Sequence, residues 1–345
     1  MKTLKYLILL LVILFITGAV YFSLKDGHYS ITEEKIVNAP ASLLYEQIAD
    51  FQNWKNWNPW LEDPNVSNTM GDVTTGIGGN YIFTDEYGKG SMEIIDLVPR
   101  ESVVAIMNYD AGITQSESVV TMKLESVENG TKVIWNITGE DDLKSKVFNF
   151  IFGLDLEKEL RPMYQKGLHN LEKVINNKMN RFSITQPKII QRSGGFLIYK
   201  DYVKTTQNED TAELSALKLL QQFMFNNDIV PYGKPLHHHY IRSSSKDSLH
   251  LSVGYPLQEK IEIPLMNDIQ IRYIKPTEAV KISLTGDHKY IEDTRKTAYN
   301  YITMSDLELS TAAPFEIYLN EISDVENPAL LKTDFYVPII TTPND

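Results

Sequence analysis

The feature that most constrains the fold is an uncharged, mostly apolar run at residues 6–24, close to the amino terminus. A helix of this length crosses the ~30 Å hydrocarbon core of a bilayer. Lys2 and Lys5 precede the run, and positively charged flanks tend to stay in the cytoplasm. We therefore predict a transmembrane signal anchor over residues 1–27, which makes the chain a single-pass membrane protein with extracytoplasmic folded domains.

A cleaved signal peptide is the alternative interpretation of the same run. The letters 'TGA' at residues 17–19 place small side chains at a spacing typical of cleavage sites. The apolar run continues through Val20, Tyr21 and Phe22, where a mature sequence usually becomes polar, and this favours the uncleaved anchor. Either interpretation directs the chain to the membrane or across it.

The rest of the chain is long enough for two domains of ~150 residues each. It has 345 residues in all, and 43% hydrophobic with 23% charged residues is typical of globular proteins. The formal net charge of -12 repels phosphate backbones, and no basic helix-turn-helix pattern occurs, so we expect no nucleic-acid partner. The absence of cysteine excludes disulfides and thiolate metal sites.

The first folded region, predicted at residues 28–180, combines two helical segments with a run of strands. Pro40 suits the first turn of a short helix, because proline lacks only an N–H that has no helical partner there. Alternating strand patterns fill residues 78–139 and predict an antiparallel sheet, and apolar positions at helical spacing follow it. Three tryptophans at three-residue spacing are expected to plug one end of the core rather than to stack on a ligand; they are Trp54, Trp57 and Trp60.

This region resembles the START/polyketide-cyclase superfamily (SRPBCC) over about residues 31–179. The resemblance rests on 'NAPASLLYEQIADFQNWKNWNPW', 'GTKVIWNITG' and 'KGLHNLEKVI'. It implies a helix-grip fold, in which a curved antiparallel sheet surrounds a long carboxy-terminal helix and an apolar cavity for hydrophobic molecules. It implies no catalytic motif. The ionisable residues Glu93, Asp96 and His169 are therefore expected to lie on the surface.

The second folded region, predicted at residues 181–345, repeats one pattern twice. The first copy has a strand at 'GGFLIYKDYV', a helix, then strands at 'LHHHYIRS' and 'SLHLSVGYPL'. The second has 'IQIRYIKPTEAVKISLTGDH', a helix, then 'PFEIYLN' and 'KTDFYVPI'. The sequence thus predicts a pseudo-twofold, repeated β-α-β-β domain, with a groove for a ligand at the junction of its halves.

This region resembles the GyrI-like family, the effector-binding domain of AraC-type and MerR-type bacterial transcription regulators. The resemblance rests on 'GDHKYIEDTRKTAYNYI', 'PFEIYLN' and 'TDFYVPI' and covers about residues 182–340. It implies that Glu316 lies at the base of a pocket between the halves, beside Tyr318. Aligning the two repeats on Tyr240 and Tyr318 sets His238 opposite Glu316, so all four residues are predicted to bind ligand.

Physical chemistry supports a cationic ligand at such a site. A carboxylate held among aromatic rings loses hydration and favours a positively charged partner, and cation–π attraction adds about 0.5 to 2 kcal/mol. The alternation in 'PFEIYLN' alone leaves another interpretation open, in which Glu316 and Tyr318 face solvent on a half-buried strand. The triple histidine at residues 237–239 is not expected to bind metal, because neighbours on a strand point to opposite faces.

The sequence therefore predicts an α+β protein that consists of a membrane helix, a helix-grip domain and a repeated β-α-β-β domain. We interpret it as a membrane-anchored small-molecule-binding protein, either a sensor, a scavenger or a carrier of hydrophobic or cationic ligands. No cofactor, metal or DNA-binding domain is expected. The alternatives are a hydrolase of a reactive small molecule with Glu316 as general base, and an envelope interaction protein with vestigial pockets.

Overall fold

The computed structural model describes residues 2–205, 211–240, 248–263 and 268–340. Side-chain positions are described in these ranges except at residues 2, 3, 239, 240, 248 and 249. The chain divides into two compact units, Met1–Lys178 and Met179–Asp345. Each unit has one large antiparallel sheet with helices, so the α+β class is confirmed. The identification of residues 28–180 and 181–345 as two family domains stays a prediction.

The chain begins with one long apolar helix, α1 (Lys2–Leu24). Its segment Leu4–Leu24 has a mean hydropathy of 2.7, and only 6% of the most apolar window is buried. A core helix of a globular domain would bury most of such a surface. By length and composition α1 fits either a single membrane span or a signal sequence.

The first unit contains a seven-stranded antiparallel sheet with the strand order β1-β7-β6-β5-β4-β3-β2. Its strands are β1 (His28–Val37), β2 (Ser67–Met70), β3 (Asn80–Thr84), β4 (Lys89–Val98), β5 (Ser102–Asp110), β6 (Gln115–Val127) and β7 (Gly130–Glu140). Its further helices are α2 (Ala41–Ile48), α3 (Phe51–Trp54), α4 (Pro59–Glu62), α5 (Leu143–Phe152) and the long α6 (Leu156–Met179). Strands β6 and β7 form a hairpin at 'ENG', residues 128–130, where Gly130 adopts a φ of 124° that favours glycine.

An aromatic cluster fills the core between α6 and the sheet. Trp54 and Trp57 are buried, which confirms their predicted role in the core, while Trp60 is partly buried. Tyr164 of α6 stacks on Trp135 of β7 with ring centroids 4.2 Å apart. The ionisable residues that the sequence assigns to the surface are indeed exposed; they are Glu93, Asp96 and His169.

The second unit contains a ten-stranded sheet whose main path is β13-β10-β12-β11-β16-β17-β14-β8. Its strands are β8 (Ser183–Ile184), β9 (Lys188–Arg192), β10 (Gly195–Thr205), β11 (Leu236–Tyr240), β12 (Ser248–Leu257), β13 (Ile269–Ile274), β14 (Thr277–Thr285), β15 (Glu308–Leu309), β16 (Phe315–Tyr318) and β17 (Lys332–Ile340). Its helices are α7 (Ala212–Asn226) and α8 (Ile291–Met304), with two short 3-10 helices, His288–Tyr290 and Pro328–Leu330.

The predicted repeat is confirmed. One half consists of β10, α7, β11 and β12, and the other of β14, α8, β16 and β17, so each has the order β-α-β-β. The halves meet at the central antiparallel pair β11–β16. Two edge strands cross between the halves, which the sequence did not indicate. Strand β13 precedes the second half but pairs with β10 of the first, and β9 precedes the first half but pairs with β14 of the second.

The two faces of this sheet carry different cores. On one face α7 and α8 cover two apolar clusters, one around Leu220 and one around Ala298. On the other face, Ile190 of β9 and Ile274 of β13 pack into one cluster with Phe315 of the central strand β16. Because residues from both edge regions reach the same cluster, the sheet is strongly curved away from the helices.

Candidate functional site

Strand register places the Glu316 side chain on the helix face of the second unit's sheet. Glu316 lies opposite His237 of β11 and opposite Phe335 of β17. Residues directly opposite each other in an antiparallel pair project to the same face, and Phe335 belongs to the core under α8. The side chain of Glu316 is fully buried, at 0% exposure. The interpretation that Glu316 faces solvent is therefore wrong.

Arg295 of α8 neutralises this carboxylate from within the unit. Its Nε lies 2.8 Å from Glu316 Oε1, and a terminal nitrogen lies 2.5 Å from the same oxygen. The guanidinium also donates to Glu292, one turn earlier on α8. Burial lowers the pKa of Arg295, but the two glutamates raise it, and the net change is upward. Arg295 remains 24% exposed, so its guanidinium lies between the buried Glu316 and solvent.

Tyr318 lies between two imidazole rings. It stacks on His237 with centroids 4.2 Å apart and on His288 with centroids 4.5 Å apart. Its hydroxyl donates to Glu316 Oε2 over 3.3 Å. Burial raises the pKa of Tyr318, and the nearby carboxylates raise it further. Burial lowers the pKa of His288 from its usual 6.5, which keeps this imidazole neutral near pH 7.

A second carboxylate approaches from the other helix. Glu213 of α7 is within ion-pair distance of His237 Nδ1, a contact that carries charge on both sides only when His237 is protonated. Tyr202 of β10 makes a side-chain hydrogen bond with Glu213, and burial, Glu213 and Glu316 all raise the pKa of Tyr202. Each half therefore brings one charged helix residue to the central strands, the acidic Glu213 from α7 and the positively charged Arg295 from α8.

The structure joins only part of the predicted set. Glu316 and Tyr318 lie together, as the resemblance implies. His238 lies opposite Phe315 and tilts against that ring on the other face, so its expected position opposite Glu316 is wrong. Side chains alternate along a strand, and aligning the repeats on their tyrosines shifts the match by one residue and therefore to the wrong face. The side chain of Tyr240 lies outside the described residues.

Sequence reasoning missed Arg295, Glu213, His237, Tyr202 and His288. A usable signal existed for two of them. Arg295 stands inside the 'GDHKYIEDTRKTAYNYI' segment, next to the buried Thr294, and His237 matches Glu316 when the repeats are aligned by buried face. Among the described residues, no group of three or more His, Asp or Glu side chains has the arrangement of a metal site.

The first unit has a surface depression of about 410 Å³. Its lining includes Ile82, Ser91 and Asn108, which lie opposite one another on β3, β4 and β5. These residues are one position out of phase with the buried Tyr81 and Met92, so the depression is on the outer face of the sheet. It is distinct from the cavity that the helix-grip resemblance implies, and that cavity stays a prediction.

Comparison with known families identifies one match. Residues 28–176 match the family model described as polyketide cyclase / dehydrase and lipid transport. This agrees with the SRPBCC resemblance of the first folded region and indicates small-molecule binding. No curated protein matches the chain.

Several solved structures are similar to parts of the chain. A protein from Chromobacterium violaceum is 15% identical, with 42% of this chain and 95% of that chain covered and a TM-score of 0.34. The carboxy-terminal domain of EcmrR is 11% identical over 46% of this chain and 98% of that chain, with a TM-score of 0.36. A hydrolase from Listeria innocua is 12% identical over 45% and 92%, also with a TM-score of 0.36.

Proposed function

We propose that this chain is a membrane-anchored small-molecule-binding protein whose second, GyrI-like unit binds a hydrophobic cation at Glu316. The observation that carries the proposal is a fully buried carboxylate that is paired with a partly exposed arginine side chain. The family match of residues 28–176 supports small-molecule binding by the first unit as well. We assign no DNA-binding role, because the net charge of -12 opposes contact with phosphate backbones.

The charges around Glu316 favour a positive ligand. Glu213, Glu292 and Glu316 supply three carboxylates, and Arg295 pairs with Glu292 and Glu316. His288 adds no positive charge near pH 7, because burial lowers its pKa. A cation that enters this site gains Coulomb attraction from these carboxylates.

Arg295 provides a route for the ligand to enter. Its guanidinium joins the buried Glu316 to Glu292, whose side chain is 65% exposed. A cationic ligand replaces the contact with Glu316, while the arginine keeps its contact with Glu292 at the surface. The carboxylate is then never left buried without a positive partner, which would cost several kcal/mol.

A binding experiment on the full chain in detergent micelles tests this site. Aromatic cations and neutral analogues of the same shape are titrated, and bound ligand is followed by fluorescence anisotropy. We expect the cations to bind at least ~10-fold more tightly, a difference of about 1.4 kcal/mol. Glu316→Gln should remove this preference. Glu308→Gln, which removes an exposed carboxylate of the same unit, is the matched control and should leave it unchanged.

Two results would refute the cation site. One is equal affinity for the cation and its neutral analogue. The other is a folded Glu316→Gln variant that binds the cation as tightly as the original chain. Arg295→Met offers an independent check, because removing the internal competitor should tighten cation binding several-fold if the variant remains folded.

A hydrolase is the second candidate, and the contact between Tyr318 and Glu316 favours it. A carboxylate oxygen 3.3 Å from a phenol hydroxyl can act with it as a base and acid pair. The same preparations are therefore incubated with reactive esters and strained-ring compounds. Turnover that disappears in both Glu316→Gln and Tyr318→Phe supports the hydrolase, whereas tight binding without product supports the sensor, scavenger or carrier.

The extracytoplasmic anchor has its own test. Intact-protein mass spectrometry of the membrane fraction distinguishes an uncleaved α1 from a chain cut after residue 19. Protease added outside intact cells should digest the folded units. Protection of both units until the cells are broken would contradict their extracytoplasmic placement.

A further inference from the structure

Helix α5 presents a run of exposed apolar side chains that the proposed ligand site does not use. Phe150, Ile151 and Phe152 are 65%, 67% and 64% exposed, and Leu154 just beyond the helix is 49% exposed. Successive helical residues are 100° apart, so three consecutive exposed side chains cannot all belong to a face turned to the core. We name these four residues the α5 patch.

The α5 patch is fixed next to the end of α1. The ring of Phe150 packs edge-on against Phe22 of α1, with centroids 5.3 Å apart, and Phe22 is almost fully buried. Lys146 of α5 donates to the carbonyl oxygen of Lys25 over 2.6 Å, and the Asp141 amide donates to the carbonyl of Gly27 over 2.9 Å. These contacts hold α5 at a defined height along α1.

That height corresponds to the boundary of a bilayer. Phe22 lies two residues before Leu24, where the apolar segment ends, which is about 3 Å along a helix axis. Side chains that contact Phe22 therefore fall within the ~5–10 Å interfacial layer, where aromatic and apolar side chains are favoured. Gly153 ends α5 with a φ of 64°, so the chain reverses there and Leu154 joins the patch.

We propose that the α5 patch inserts into the interfacial layer of the bilayer that α1 spans, so that the first unit contacts the lipid surface directly. This rests on the membrane anchor of the proposed function. The exposed charges beside the patch are of both signs, so the attraction is apolar and zwitterionic lipid is sufficient; they are Lys144 and Lys158 against Asp142, Asp155, Glu157 and Glu159. A surface of this kind brings a lipid-transport-like unit to the hydrophobic molecules dissolved in the membrane.

The absence of native cysteine allows a site-specific test on the full chain. Single-cysteine variants carry an environment-sensitive dye in phosphatidylcholine vesicles, and spin-labelled lipid is the quencher. Leu154→Cys tests the patch, Leu14→Cys reports insertion of α1, and Tyr87→Cys, at a 73% exposed turn position, reports water. We expect strong quenching at residue 14. At residue 154 we expect quenching at least ~2-fold above that at residue 87, and this quenching should be stronger with a shallow than with a deep spin label.

The outcomes separate the patch from the anchor. Quenching at residue 14 together with a water-like signal at residue 154 overturns the patch and leaves the anchor standing. Quenching at residue 154 without quenching at residue 14 supports the patch and refutes the spanning helix, and no quenching at either position overturns both.

A second variant guards against a dye that inserts by itself. Adding Ile151→Ser and Phe152→Ser to Leu154→Cys should lower the lipid quenching towards the value at residue 87, and unchanged quenching would overturn the proposal. The patch would also be overturned if residue 154 is shielded from aqueous iodide only at high protein-to-lipid ratio, because a second copy of the chain would then cover it.

Discussion

The Arg295–Glu316 pair should be strongly asymmetric when its two members are removed one at a time. Glu316 is fully buried, whereas the side chain of Arg295 is 24% exposed and keeps Glu292 as a partner. Arg295→Met preserves most of the apolar stem but leaves a buried carboxylate without its arginine. Removing one partner of a buried ion pair costs about 3–5 kcal/mol, and we expect a value in the lower half of that range because of the partial exposure.

The opposite substitution should be milder. Glu316→Gln leaves an arginine that can turn towards water and Glu292, so we expect a loss of about 1–2 kcal/mol from the charged hydrogen bonds. The double variant should cost no more than Arg295→Met alone, because neither charge is then left without its partner. The resulting coupling energy between the two positions is at least about 1–2 kcal/mol.

Hydrogen exchange measured by mass spectrometry gives the local free energy of opening for α8 and β16 in the full chain. The protein supplies an internal control, because its four tryptophans all lie in the first unit; they are Trp54, Trp57, Trp60 and Trp135. Denaturant transitions followed by tryptophan emission should therefore be the same for every variant. Equal losses of opening free energy for the two single variants, or a coupling energy below about 0.5 kcal/mol, would refute the conclusion that Arg295 neutralises the buried carboxylate of Glu316.

Three further predictions concern both units. Gly167→Ala should destabilise the first unit by about 1–3 kcal/mol in tryptophan-monitored urea unfolding, because the new Cβ would lie 2.6 Å from the Trp135 ring and this clash outweighs a helix-propensity gain of about 1 kcal/mol. The exposed Lys173→Ala is the control and should change the stability little. Asp142→Ala should cost about 1 kcal/mol and speed amide exchange in α5, because the Asp142 side chain caps that helix. The second unit should lose stability as the pH falls below 6.5 towards the lowered pKa of His288, because the imidazole takes up a proton more readily in the unfolded chain than in the folded one. His288→Gln should reduce the pH dependence of stability in hydrogen-exchange measurements, and an unchanged slope would contradict this prediction.

Local patterns predicted the elements of this fold but not all of their partners. The alternation in 'PFEIYLN' and the β-α-β-β repeat were sufficient to predict the strands of the two halves. The same alternation could not determine which side of β16 is buried, and in the structure both Phe315 and Glu316 are buried. The reason is that helices cover one face of the sheet, while side chains from the edge strands of the curved sheet cover the other.

Side chains that act through long-range contacts were harder to predict. Arg295 lies in the family segment next to buried Thr294, but its pairing with Glu316 depends on the register of β16, which no local pattern fixes. The error at His238 has a simpler origin, since a shift of one residue in the repeat alignment reverses the face of a strand. Backbone pairing between distant strands, such as β9 with β14, leaves no local pattern in the sequence at all.

The exchanged edge strands make the second unit resistant to separation into its repeats. A peptide bond cut between β12 and β13 would leave β9 on the amino-terminal fragment, paired with β14, and β13 on the carboxy-terminal fragment, paired with β10. Each fragment would thus carry a strand that completes the other, in addition to the central β11–β16 pair. A nicked chain should remain one particle in size-exclusion chromatography, and fragments expressed apart should reassemble, as in a split-protein reporter.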